Sequence, residues 1–61
     1  MTIGTRIKNK REELGIAQVE LARKIGCTKQ TIYKYENDIV TNIPSDNVEK
    51  LANALNTTPA Y

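Results

Sequence analysis

The chain has no histidine and one cysteine, Cys27. A single thiol cannot build a disulfide framework, and the ligand types for an imidazole or thiolate metal site are missing. No apolar run approaches the roughly 20 residues that a membrane helix requires. No signal-peptide pattern opens the sequence, and with the lone thiol this favours a cytoplasmic setting. A nucleophile–base pair, a metal cluster and a phosphate-cradling loop are also lacking. The expectation is therefore a protein without catalytic residues, cofactor or small-molecule ligand. Internal repeats and low-complexity segments are absent, and 61 residues suffice for one domain with a thin core.

What is present is an uneven distribution of charge. Nine Lys/Arg against seven Asp/Glu give a net +2. Residues 1–34 carry eight Lys/Arg against three Glu, a balance of +5, and residues 35–61 carry one Lys against four Asp/Glu, a balance of −3. A basic N-terminal half suits contact with phosphate, although solvated helix faces would give the same count.

The periodicity is helical throughout. Ile3, Ile7, Arg11 and Leu14 fall on one stripe, stopped by Gly15. Leu21, Ala22 and Ile25 form a second, shorter stripe that Gly26 ends; Ala17 stands where a cap belongs, a loss of about 1 kcal/mol. Thr28 can cap a third helix with Lys29–Glu36 as its body. At 100° per residue, Ile32, Tyr35 and Glu36 turn inward, Gln30, Tyr33 and Lys34 turn outward, and Lys29 lies on the flank. Residues 37–44 connect, with Asn37-Asp38 suited to a turn and Ile39, Val40 and Ile43 expected against the core. Ser45 or Asp46 should cap a fourth helix, Asp46 forming a capping box with Glu49, and Val48, Leu51, Ala52 and Leu55 should be its core stripe. Thr58-Pro59 signals a fifth helix start, which suggests a domain trimmed within that helix. The fold expected is all-α, a compact bundle of four to five short helices.

Arg11 and Glu36 break their apolar stripes with charge. A buried charge without a partner is very costly, so the two are expected to form a bidentate, partly buried ion pair between helices one and three.

At these residues the chain resembles the lambda-repressor-like (Cro/C1-type, XRE) helix-turn-helix family of phage and bacterial transcriptional regulators. The matching run is GIAQVELARKIGCTKQTIYKYEN, between IKNKREELG and IPSDNVEKLANALNTTPAY. The resemblance implies that helices two and three form the motif and that helix three enters the major groove. It places Gln18 on a phosphate and on a neighbouring recognition-helix side chain. It places Thr28, Lys29, Gln30, Thr31 and Lys34 on bases or backbone, Asn37 on the backbone, and Arg11 with Glu36 in a buried pair. The chain departs from the family pattern at Ala17, where Thr or Ser is usual, at Asp38, where Gly is usual, and in a longer link from Glu36 to Pro44.

The chemistry of each group narrows these roles. Gln30 can bond adenine N6/N7 in a bidentate way, or guanine. Lys29 can serve guanine O6/N7 or phosphate, and Lys34 bases or phosphate. Thr28 and Thr31 offer hydroxyls to phosphate or a methyl to thymine. Tyr33 is open to backbone or base. Gln18 lies at a helix N-terminus, where free N–H groups favour phosphate. Cys27 reads as a small hydrophobe. The function expected is sequence-specific binding of double-stranded DNA, as a repressor whose homodimer sets two reading helices about 34 Å apart on a palindromic operator. The alternative from another class is an antitoxin-like module that binds a protein partner.

Overall fold

The computed structural model describes residues 2–56. Four helices occur among them: α1 Ile3–Glu13, α2 Gln18–Ile25, α3 Lys29–Glu36 and α4 Ser45–Ala54. The all-α architecture agrees with the periodicity. The fifth helix suggested at Thr58-Pro59 lies outside the described residues.

Each helix contributes one apolar stripe to a shared core. Leu21 of α2, Ile32 of α3 and Leu51 of α4 are fully enclosed. Ile7, Ala22, Ile25, Tyr35 and Leu55 complete the buried cluster, and Ile3, Ile16, Cys27, Ile43 and Ala54 pack on its edge. The centre of the fold is α3, which contacts both α1 and α2, while α2 also packs on α4. Burial of Val/Leu/Ile-sized side chains, at about 1.5–3 kcal/mol each, is the main term that offsets chain entropy here.

Three consecutive helices end in the same way. A left-handed residue follows each, directly after α2 at Gly26 (φ 75) and one position later after α1 at Gly15 (φ 70) and after α3 at Asp38 (φ 57). The following N–H then reaches back to a carbonyl five residues earlier: Ile16 to Arg11 at 3.3 Å, Cys27 to Ala22 at 2.9 Å and Ile39 to Lys34 at 2.9 Å. This arrangement satisfies carbonyls that the helix itself leaves open. Asp38, standing where glycine is usual, therefore keeps the turn.

Asp38 also does what glycine could not. Its Oδ2 accepts a hydrogen bond from the Thr2 hydroxyl at 2.9 Å, and Thr2 in turn caps α1 by accepting from the Thr5 N–H at 3.1 Å. The first turn of α1 holds no acidic residue of its own. The Asp38 carboxylate supplies the anion that a helix N-terminus favours. This clasp requires close approach at Gly4. A Cβ placed there would sit 2.3 Å from the Tyr35 carbonyl oxygen, 2.8 Å from that of Glu36 and 2.7 Å from Asp38 Oδ1.

Between the same helices lies the ion pair. Arg11 Nε donates to Glu36 Oε2 at 2.7 Å, Nη2 donates to Oε1 at 3.2 Å, and Nη1 donates to the Ile16 carbonyl at 2.9 Å. The two side chains are 12% and 2% exposed. The hydrogen bond to Glu36 raises the Arg11 pKa above its ordinary value, against the opposing effect of burial.

Four local expectations are corrected. Leu14 is 45% exposed rather than in the core, because α1 has ended at Glu13 and the chain is already turning. Ile39 is 61% exposed and Val40 also faces solvent, so of the three loop hydrophobes only Ile43 packs inward. Val48 is only partly buried. The Asp46–Glu49 capping box does not form: the residue preceding α4 is Pro44, which has no hydroxyl or carboxylate, and Asp46 already sits inside the first turn.

Two outcomes test this account. Gly4→Ala should lower the melting temperature by several degrees. The overpacking cost of about 1–3 kcal/mol against rigid backbone exceeds the helix-propensity gain of about 1 kcal/mol. Arg11→Ala should cost on the order of 3–5 kcal/mol by leaving a buried carboxylate unpaired. For a 61-residue domain, total stability is about 3–9 kcal/mol, so calorimetry should show a largely unfolded variant at 37 °C.

Candidate nucleic-acid interface

The solvent face of α3 is built from its N-terminus outward. Thr28 precedes the helix with extended backbone, and its hydroxyl accepts from the Thr31 N–H at 3.3 Å. The two threonine hydroxyls lie 3.0 Å apart. Among the first-turn residues none is acidic. Lys29, Gln30, Tyr33 and Lys34 are all exposed, and Thr31 is half-buried. Tyr33 leaves 52% of its surface in solvent, an exposure that an isolated aromatic can tolerate. The inward positions Ile32, Tyr35 and Glu36 are buried, so the rotation of the helix about its own axis is fixed.

Two hydrogen bonds tune the ends of this face. Asn37 is exposed, and its Nδ2 donates to the Tyr33 carbonyl at 2.8 Å. The same carbonyl receives the Asn37 backbone N–H at 3.0 Å. Asn37 thus closes α3 and leaves its side-chain oxygen and second amide hydrogen outside. Tyr35, on the inner side, has its hydroxyl accepting from Asn47 Nδ2 at 3.1 Å, which ties α3 to α4.

Gln18 is joined to the end of α3 by a different route. It is the first residue of α2, and Ala17 before it makes no side-chain cap. The N–H groups of that first turn are therefore not taken by a capping side chain. Gln18 is half-buried, and its Nε2 donates to Glu36 Oε1 at 3.0 Å. One carboxylate at the end of α3 thereby holds the start of α2 as well as Arg11 of α1.

The candidate residues thus fall into two groups. Thr28, Lys29, Gln30, Thr31, Tyr33, Lys34 and Asn37 are brought together by α3 itself. Gln18, Arg11 and Glu36 are joined by hydrogen bonds at the seam of three helices. Thr2 and Gly4, which position the C-terminal end of α3 against α1, escape the sequence analysis, as does the bond from Thr2 to Asp38. A glycine on a helix that packs closely and an Asp at a left-handed turn were the available signals. Cys27 is half-buried at the α2–α3 turn, and burial raises its thiol pKa, which suits a packing role rather than a reactive one. Among the described residues, no group of His, Cys, Asp or Glu could hold a metal ion, and no helix is long and apolar enough to cross a membrane.

Comparison with known proteins agrees with this geometry. A helix-turn-helix family model matches residues 7–61. The structure of the P22 c2 repressor protein in complex with a synthetic operator superposes with a TM-score of 0.92, at 27% identity, covering 97% of this chain and 88% of that one. SinR, described as the master regulator for biofilm formation and solved in complex with DNA, gives a TM-score of 0.89 at 34% identity, covering 95% of this chain and 92% of that one. SinR in its complex with SinI gives 0.88 at 34% identity, covering 95% of this chain and 56% of that one. With the motif turn at Gly26, the exposed face of α3 and a family match over nearly the whole sequence, the chain belongs to the helix-turn-helix family.

Proposed function

We propose that this protein is a sequence-specific DNA-binding transcriptional repressor that acts in the cytoplasm as a homodimer on a palindromic operator. The observation that carries the reading is the outer face of α3: Lys29, Gln30, Tyr33 and Lys34 exposed together on a helix whose inner face is locked in the core. Such a helix fits the major groove, where its first residues meet base edges. The likeness to a repressor and to a master regulator, each solved with DNA, supports the same role.

The roles divide by chemistry. Gln30 reads a base, adenine N6/N7 being its best bidentate match. Lys29 and Lys34 supply charge, to guanine or phosphate. Thr28 Oγ1 already accepts from the Thr31 N–H, so its own hydrogen can turn outward to a phosphate when Thr31 donates to it. Gln18 and Asn37 bracket the reading helix on the sugar–phosphate backbone. Tyr33 contacts backbone or base. Repression follows from occupancy: a bound dimer, with reading helices about 34 Å apart, denies polymerase the site.

Selection from random duplex DNA should return an inverted repeat. Against that sequence, Gln30→Ala should lose about 1–3 kcal/mol of discrimination at one base position per half-site. Lys29→Ala or Lys34→Ala should weaken all duplexes alike wherever the lysine meets phosphate, and lower the slope of log K against log salt by about 1. Failure to enrich any sequence, with all three variants binding like the parent, would remove the reading.

A further inference from the structure

Glu36 is more buried than any other charged side chain of the described core, and one of its three hydrogen bonds does not serve the ion pair. Arg11 takes Oε2 through Nε and shares Oε1 through Nη2. Oε1 also accepts from Gln18 Nε2 at 3.0 Å. A carboxylate held by a guanidinium is an acceptor only. It therefore dictates which end of the Gln18 amide faces it: the NH2 must point inward and the carbonyl oxygen cannot. A free glutamine presents either end and samples several rotamers. This one is left with its second N–H and its oxygen for whatever arrives at the start of α2.

We propose that Glu36 is a positioning residue for the DNA contact: its buried carboxylate holds the amide of Gln18 in a single orientation, with the second N–H left for a backbone phosphate. Arg11 completes the device by neutralising the carboxylate, which would otherwise repel that phosphate. The inference rests on the proposed reading of this face as a DNA interface and deepens it. It assigns to the ion pair a part in binding, beyond its part in the fold. Because Glu36 closes α3 while Gln18 opens α2, the same bond relates the phosphate contact to the angle at which α3 is presented.

The test separates positioning from stability. Replacing both charges together, Arg11→Met with Glu36→Met, removes the acceptor of Gln18 while filling the volume with apolar groups, a change that folded domains often tolerate. Affinity would be measured by fluorescence anisotropy on the selected operator duplex. Gln18→Ala should lose about tenfold, the scale of one hydrogen bond to a charged group. The Met pair should lose a similar factor with its melting temperature held. Adding Gln18→Ala to the Met pair should cost less than about threefold more, because the glutamine is no longer placed. The salt slope should be unchanged throughout, since no net charge is lost. Multiplicative losses, or parental affinity in the Met pair, would overturn the proposal. Should the Met pair unfold, the side-chain NH2 protons of Gln18 in the parent decide by NMR. Solvent exchange of these protons slowed relative to those of exposed Gln30, in free and duplex-bound protein, supports the lock, and exchange as fast as that of Gln30 overturns it. A parent that binds no duplex removes the functional reading and this proposal together; multiplicative losses among the variants of a parent that binds remove the proposal alone.

Discussion

Three of the four helices are tied to one buried carboxylate. Glu36 receives Arg11 from α1 and Gln18 from α2 while standing at the end of α3. An ionised group in an apolar core is unfavourable by several kcal/mol unless each lone pair finds a donor. That penalty falls on any compact arrangement that buries Glu36 without bringing Arg11 and Gln18 to it. The pair is therefore better understood as selecting one packing than as adding net stability, since apolar replacements of similar volume can match a buried ion pair in free energy. For a domain with a core as thin as this one, the selection matters. Many packings of short amphipathic helices bury comparable apolar area, and the carboxylate favours the one that brings its donors to it.

The second constraint is the length of the turns. Left-handed residues at Gly15, Gly26 and Asp38 end three helices within 24 positions of one another, so each helix is held to about two or three turns. Helices so short are not stable alone. Their order comes from caps, from end motifs and from contact with neighbours. Asp38 shows how one side chain can serve two of these needs. It accepts a left-handed conformation that glycine would take without strain, and in return its carboxylate reaches Thr2 and the first turn of α1. The clasp works only because Gly4 lets α1 lie directly on the backbone of Tyr35 and Glu36.

Much of this was legible in the sequence, and the boundary of legibility follows the range of the interaction. Apolar spacing located all four helices, and the glycines located two of their ends. The charges at Arg11 and Glu36 were conspicuous because each interrupted an apolar stripe, and in the structure they lie 2.7 Å apart. The reading faltered where a residue's fate depends on a distant segment. Leu14 carries the apolar period past the end of its helix and stays 45% exposed there. Ile39 and Val40 are apolar but belong to a loop whose path no local pattern sets. The Asp46–Glu49 spacing fits a capping box, yet Ser45 already lies within α4, so the cap position fell on Pro44. Gly4 and Thr2 meet partners more than 30 positions away, and spacing within a helix carries no trace of that. The outward face of α3 was legible because it is the complement of a buried face.

The two helices of the motif meet solvent at their N-termini in opposite ways, and the difference bears on how phosphate would be held. At α3, Thr28 takes one of the open N–H groups, the first turn holds no acid, and Lys29 adds positive charge. At α2, Ala17 takes none, and Glu20 lies in the first turn. A carboxylate there is favourable to the free helix by about 0.3–1 kcal/mol through the dipole, but it works against an incoming anion. The missing cap alone therefore does not make α2 an attractive end for phosphate. What distinguishes it is Gln18, an uncharged donor whose direction Glu36 sets from below. A neutral amide cannot draw DNA from a distance; Lys29 and Lys34 can. It can, however, require that a phosphate already drawn in occupy one place, and so convert general attraction into a defined register for the side chains of α3.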